Sequence, residues 1–172
     1  PPAAAAAAAT AASTRPVTYK PGSLTVSKHG LLLSSGLDVR ILARTGERVP
    51  LSDGTLSDDA FHPEPDFGAA FPVPEGSSEN IGGWAYVSNS EIKPDRDTGE
   101  GRGEGGVGSI EFDSSGDVLK YEMILMGTTA NCGGGSTPWG TWITCEEAAG
   151  GQIYEVDPFG KWRDVAARAS DP

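Results

Sequence analysis

VGSIEFDSSGDVLKY, residues 107–121, reads as a strand, a tight turn and a second strand. Asp113 and Gly116 bracket the turn, an Asp-x-x-Gly pattern in which the aspartate side chain caps local backbone and the glycine supplies the conformation that closes a hairpin. A related unit follows as IYEVDPFGKW, residues 153–162, in which Glu111, Asp113 and Gly116 recur as Glu155, Asp157 and Gly160, each 44 positions on. Upstream of each hairpin stands a further strand that begins with tryptophan and ends in glutamate: WAYVSNSE at 84–91 and WGTWITCE at 139–146. Short strands repeating every 40–45 residues or so are the mark of propeller blades. The alternative is two unrelated hairpins that share a common turn. A closed ring takes about four to eight four-stranded blades. The reading is therefore an all-β chain, a partial β-propeller of about two to three blades.

The strand at 84–91 places Trp84, Tyr86 and Ser88 on one face and Ala85, Val87 and Asn89 on the other, because successive strand residues alternate. Residues 93–106, rich in glycine and charge, read as a mobile loop. Residues 52–71 read as a long loop, since Pro63, Pro65 and Pro72 deny ladder hydrogen bonds. Leu24–Val26, Gly30–Leu33 and the alternating Leu37–Ala43 read as opening strands. His29 and His62 fall at turn or loop positions, where a lone histidine is expected to be solvated. Residues 1–16, dominated by alanine and proline, lack the periodic apolar residues needed to offset ordering entropy and are expected to be disordered, leaving 17–172 as the folded domain.

The formal charge of −11 argues against nucleic acid, whose binders neutralise phosphates with basic patches. Such acidity suits plain solvation or divalent cations. No apolar run approaches the roughly 20 residues of a membrane span.

Chemistry concentrates in NCGGGSTPWGTWITCEE, residues 131–147, which holds both cysteines, two of the four tryptophans, three successive glycines and two adjacent carboxylates. Gly133, Gly134 and Gly135 bury no side chain, and such a run suits close approach to the backbone. A Cys132 thiolate favours soft or borderline transition metals, whereas the oxygens of Asn131, Glu146 and Glu147 favour harder cations. Cys132 and Cys145 read equally as a disulfide or two buried thiols, and Trp139 and Trp142 as packing residues. Glu146 and Glu147 reach one site only if the strand ends before both have been used, which Ala148–Gly151 suggests.

The segments SNSE (88–91), GGVGSIEFD (105–113), NCGGGSTPWGTWITCEE (131–147) and GQIYEVDPFGK (151–161), in that order, resemble the PhoX-type alkaline phosphatases, a likeness running from about Gly22 to Trp162. The resemblance implies a secreted, periplasmic or cell-surface β-propeller enzyme, monomeric when whole, that hydrolyses phosphate monoesters with iron and calcium. It further implies Cys132 as an iron ligand, Glu91, Glu146 and Glu147 as metal-site residues, and Asn89 and Asn131 as oxygen ligands or supports for them. The family's remaining metal glutamates and its phosphate-binding arginine belong to later blades, and Arg163 and Arg168 match no such motif. The chain is thus expected to be the N-terminal piece of such an enzyme and inactive alone. The competing expectation is a non-catalytic propeller that binds calcium or a partner through the same scaffold.

Overall fold

Eleven strands and no helix make up the described part of the chain, residues 22–162 of a computed structural model. The alanine-rich segment 1–16, Arg163 and Arg168 lie outside the described residues. The chain divides into two units, residues 1–40 and 41–172. In the first, β1 (Leu24–Val26) pairs antiparallel with β2 (Leu32–Ser34) across a turn in which Ser27 N–H donates to Leu31 O at 2.8 Å. The third expected opening strand does not form. Residues 37–44 carry no regular structure, and the sequential pair Leu42 and Ala43 packs against one apolar cluster, so the apparent alternation has no sheet to serve.

The second unit is a succession of antiparallel sheets. β3 (Arg48–Pro50) pairs with β4 (Leu56–Ala60). β5 (Pro65–Pro72), β6 (Trp84–Ser90), β7 (Gly105–Phe112) and β8 (Val118–Thr128) follow as a four-stranded meander. β9 (Asn131–Ser136), β10 (Trp142–Glu146) and β11 (Ile153–Val156) make the next sheet. The stretch read as a proline-broken loop therefore contains β4 and β5. Pro65 and Pro72 are the first and last residues of β5, an edge strand, where a missing N–H costs no ladder bond.

The turn of the repeat is present in atomic detail, while any strand returning from the second turn lies outside the described residues. Gly116 N–H donates to Asp113 O and Gly160 N–H to Asp157 O, both at 3.0 Å. The two aspartate side chains receive Ser115 N–H at 2.8 Å and Phe159 N–H at 2.9 Å. The preceding strands repeat at a different spacing. Trp84 lies opposite Phe112 as Trp142 lies opposite Val156, so the counterpart of Trp84 is Trp142, not Trp139. Residues 131–135, with Ser136, form β9, the strand beside β10.

Alternation decides which residue meets which neighbour. On one face of the β5–β8 sheet Phe71, Val87, Val107 and Leu125 pack against Trp142 and Val156 of the following sheet. On the other, Ile110, Phe112, Val118 and Tyr121 pack against Val49 of the preceding one, with Trp84 stacked on Phe112 at 4.0 Å between ring centroids. Each side chain so buried contributes about 1.5–3 kcal/mol. The middle sheet is covered on both faces, as a blade between blades would be, and the expected faces of β6 hold.

His62 corrects its expectation. It is buried, with Nε2 2.7 Å from Ser88 Oγ and Nδ1 3.0 Å from the Tyr121 hydroxyl, whereas His29 is exposed as expected. Gly108 makes room for it, since a Cβ there would lie 2.4 Å from Nδ1. Burial lowers the His62 pKa to about 4, so the ring is neutral at physiological pH.

Candidate metal centre

The antiparallel pairing Pro65↔Ser90 and Asn131↔Glu146 brings the starts of β5 and β9 and the ends of β6 and β10 to the chemistry-bearing edge of their sheets. Asp66, Glu91 and Cys132 converge there, each offering one ligand atom, all within 4.8 Å of one another. Backbone bonds hold the arrangement: Glu91 N–H donates to Glu64 O at 2.9 Å, Ala130 N–H to Ile92 O at 3.0 Å and Glu147 N–H to Ala130 O at 2.8 Å. Glu64 and Ala130, with φ of 45° and 52°, are two of three described non-glycine residues at positive φ, so local strain flanks the group.

Negative charge gathers around the thiol. The Cys132 thiol is raised to about 11, first by its hydrogen bond to Asp66, then by desolvation and the negative charges of Glu91, Asp66 and Glu147. Lys93 supplies the positive charge, its Nζ 2.9 Å from Glu91 Oε1 and 3.8 Å from Glu147 Oε2. That pairing raises the lysine's pKa, chiefly through its close contact with the Glu91 carboxylate. A cavity of about 380 Å³ lined by Glu64, Glu91, Ile92 and Lys93 opens beside the group.

The residues expected from sequence separate into three kinds. Cys132 and Glu91 come together, and Glu147 joins them through Lys93. Glu146 turns elsewhere: Oε1 accepts from Thr129 N–H at 2.6 Å and Oε2 from Gln152 N–H at 2.9 Å, which ties two loops to the end of β10. Asn89 and Asn131 are fully buried and spent on the protein. Asn89 Nδ2 donates to Cys132 O at 2.6 Å, while its Oδ1 accepts from Trp142 Nε1 at 3.0 Å and Thr144 Oγ1 at 2.9 Å. Asn131 Nδ2 donates to Thr144 Oγ1 at 3.0 Å, and its Oδ1 accepts from Thr128.

Cys132 and Cys145 are both free thiols, so the disulfide reading falls. Of the three glycines only Gly134 is pressed, by the Ile143 carbonyl and the Trp142 ring, while Gly133 and Gly135 face open space. Trp142 packs as expected, but Trp139 is 70% exposed, its indole N–H held by Glu155 at 2.6 Å.

The sequence profile described as "Alkaline phosphatase PhoX" matches residues 77–168, more than half of the chain. The chain belongs to the PhoX alkaline phosphatase family. No curated protein and no solved structure matches it. The family is one of metal-dependent phosphatases, typically secreted or periplasmic, and no helix among the described residues is long and apolar enough to cross a membrane.

Sequence reasoning passed over two members of the group, Asp66 and Lys93. Asp66 was hidden in the stretch taken for a loop. Lys93 carried a signal, since Glu91 and Lys93 stand two apart at a strand end, a spacing that puts opposite charges on one side.

Proposed function

We propose that the chain supplies part of the cation centre of a phosphomonoesterase, with Cys132, Glu91 and Asp66 as ligands and Glu147 beside them. The observation that carries this reading is the convergence of a thiol and two carboxylates within 4.8 Å at one sheet edge. Like-charged donors so placed repel one another, and a cation removes that cost while favouring the thiolate over the thiol. The donor set fits iron at Cys132 and calcium on the carboxylates, soft and hard donors being matched accordingly. Bound cations of this kind neutralise phosphate oxygens and lower the pKa of bound water. The chain's own part is to fix its donors: Asn89 pins the Cys132 carbonyl and the Glu64 carbonyl pins the Glu91 amide. The substrate is a phosphate monoester, and the location is secreted, periplasmic or at the cell surface.

Cobalt(II) titration of the chain tests the ligands, with the thiolate-to-cobalt absorption band as readout, alongside hydrolysis of a chromogenic aryl phosphate with and without chelator. The expected result is a band that disappears in Cys132→Ser. An unchanged band and unchanged metal content in that variant would sink the assignment.

A further inference from the structure

We propose that Lys93 is a resident counter-ion of this centre: its ammonium holds Glu91 and Glu147 while no cation is bound and withdraws when one enters. The inference rests on the cation-binding reading above. Asp66, Glu91 and Glu147 surround the Cys132 thiol with negative charge, and Lys93 sets one ammonium against two of those carboxylates, at 2.9 and 3.8 Å. It therefore occupies, in charge and in partners, the role of an ion.

The parts that stay and the part that moves are distinguishable. The Glu91 side chain is 18% exposed and its amide is tied to the Glu64 carbonyl, so the carboxylate is fixed. The neighbouring Ile92 carbonyl is held by Ala130, which anchors the backbone next to Lys93. The Lys93 side chain is 64% exposed and lines the open 380 Å³ cavity, so its ammonium can leave into solvent without disturbing the strand. A lysine suits the task because it is a strongly hydrated point charge on a flexible stem, whereas an arginine fork would hold its carboxylate bidentately.

The counter-ion has a cost that can be read out. A cation entering the group must displace Lys93 from Glu91 and Glu147, which weakens its apparent affinity. Calcium titration calorimetry on the full 172-residue chain, with near-ultraviolet circular dichroism to verify folding, compares wild type with Lys93→Gln and Lys93→Arg. Lys93→Gln is expected to bind Ca²⁺ about three- to tenfold tighter, the effect of one partly screened unit charge at this distance. Its calcium-free unfolding midpoint is expected to fall while the calcium-loaded midpoint stays, and Lys93→Arg is expected to bind no more tightly than wild type. Lys93→Met, which keeps the aliphatic stem, is read in the same way should the glutamine variant not fold. Equal or weaker Ca²⁺ binding by the neutral variants, with wild type binding normally, overturns the counter-ion and leaves the cation centre standing. No binding by any chain overturns both.

Discussion

In the β5–β8 sheet Trp84 lies opposite Phe112 and stacks on its ring, half-buried. In the β9–β11 sheet its counterpart Trp142 lies opposite Val156, fully buried, and sends its indole N–H into Asn89 of the sheet before it. The frame is the same and the surroundings differ. Carried further along the strands, the equivalence sets Ser88 against Glu146 and Asn89 against Glu147. Repetition thus governs the strand interiors, while the residues that bear chemistry sit where the strands end and the repeat stops constraining them.

The comparison breaks first at the tryptophans. Trp142→Ala should cost about 3–5 kcal/mol, since it empties a fully buried site and removes one donor from Asn89. Trp84→Ala should cost clearly less, because that ring keeps part of its solvent contact. Denaturant unfolding midpoints decide it, and equal losses would mean that the two positions are equivalent in packing as well as register.

The two faces of the β5–β8 sheet should separate next by pH. His62 lies on the face toward Val49 and its folded pKa of about 4 is below its unfolded value near 6.5. A depressed pKa means that the unfolded chain takes up the proton first. The stabilisation from neutral His62 is therefore complete above pH 6.5 and lost as pH falls toward 4, by up to about 3 kcal/mol. A nuclear magnetic resonance titration that finds the ring protonating above pH 6 in the folded chain would contradict this.

The smallest contrast lies within β9. A Cβ on Gly134 would stand 2.2 Å from the Ile143 carbonyl, whereas Gly133 and Gly135 have nothing within 4 Å. Gly134→Ala should cost about 1–3 kcal/mol through forced backbone shifts, and Gly135→Ala should fall within about 0.5 kcal/mol of wild type. Thermal melting of the two variants checks the order.

How much of this was legible in the sequence depends on the range of the forces involved. The Asp113 and Asp157 turns are local chemistry, and both form as read. The registers of β6 and β10 are set by which side chains the neighbouring sheets can bury, and so the tryptophan pairing went to Trp142 rather than to the more tempting Trp139. Pro65 and Pro72 argue against a central strand, and only the strand order reveals that β5 is an edge. That same misreading concealed Asp66. Cys132 and Glu147 stand out in the sequence as chemistry, a cysteine beside glycine and one of two adjacent carboxylates, whereas Glu91 enters only through the family resemblance and Lys93 belongs to no motif. His62 looked like a surface residue because the partners that bury it, Ser88 and Tyr121, lie 26 and 59 residues away.

Asn89 joins two properties that are usually separable. One end of its amide holds the carbonyl of Cys132, and the other holds Trp142 and Thr144 in the contact between sheets. Whatever loosens that contact loosens the start of β9, which carries the thiol, and any ion held by Cys132 would stabilise the contact in return. Ligand occupancy and inter-sheet packing would then be linked equilibria, so such an ion would act as a thermodynamic rivet and would be released in the same cooperative step that parts the sheets.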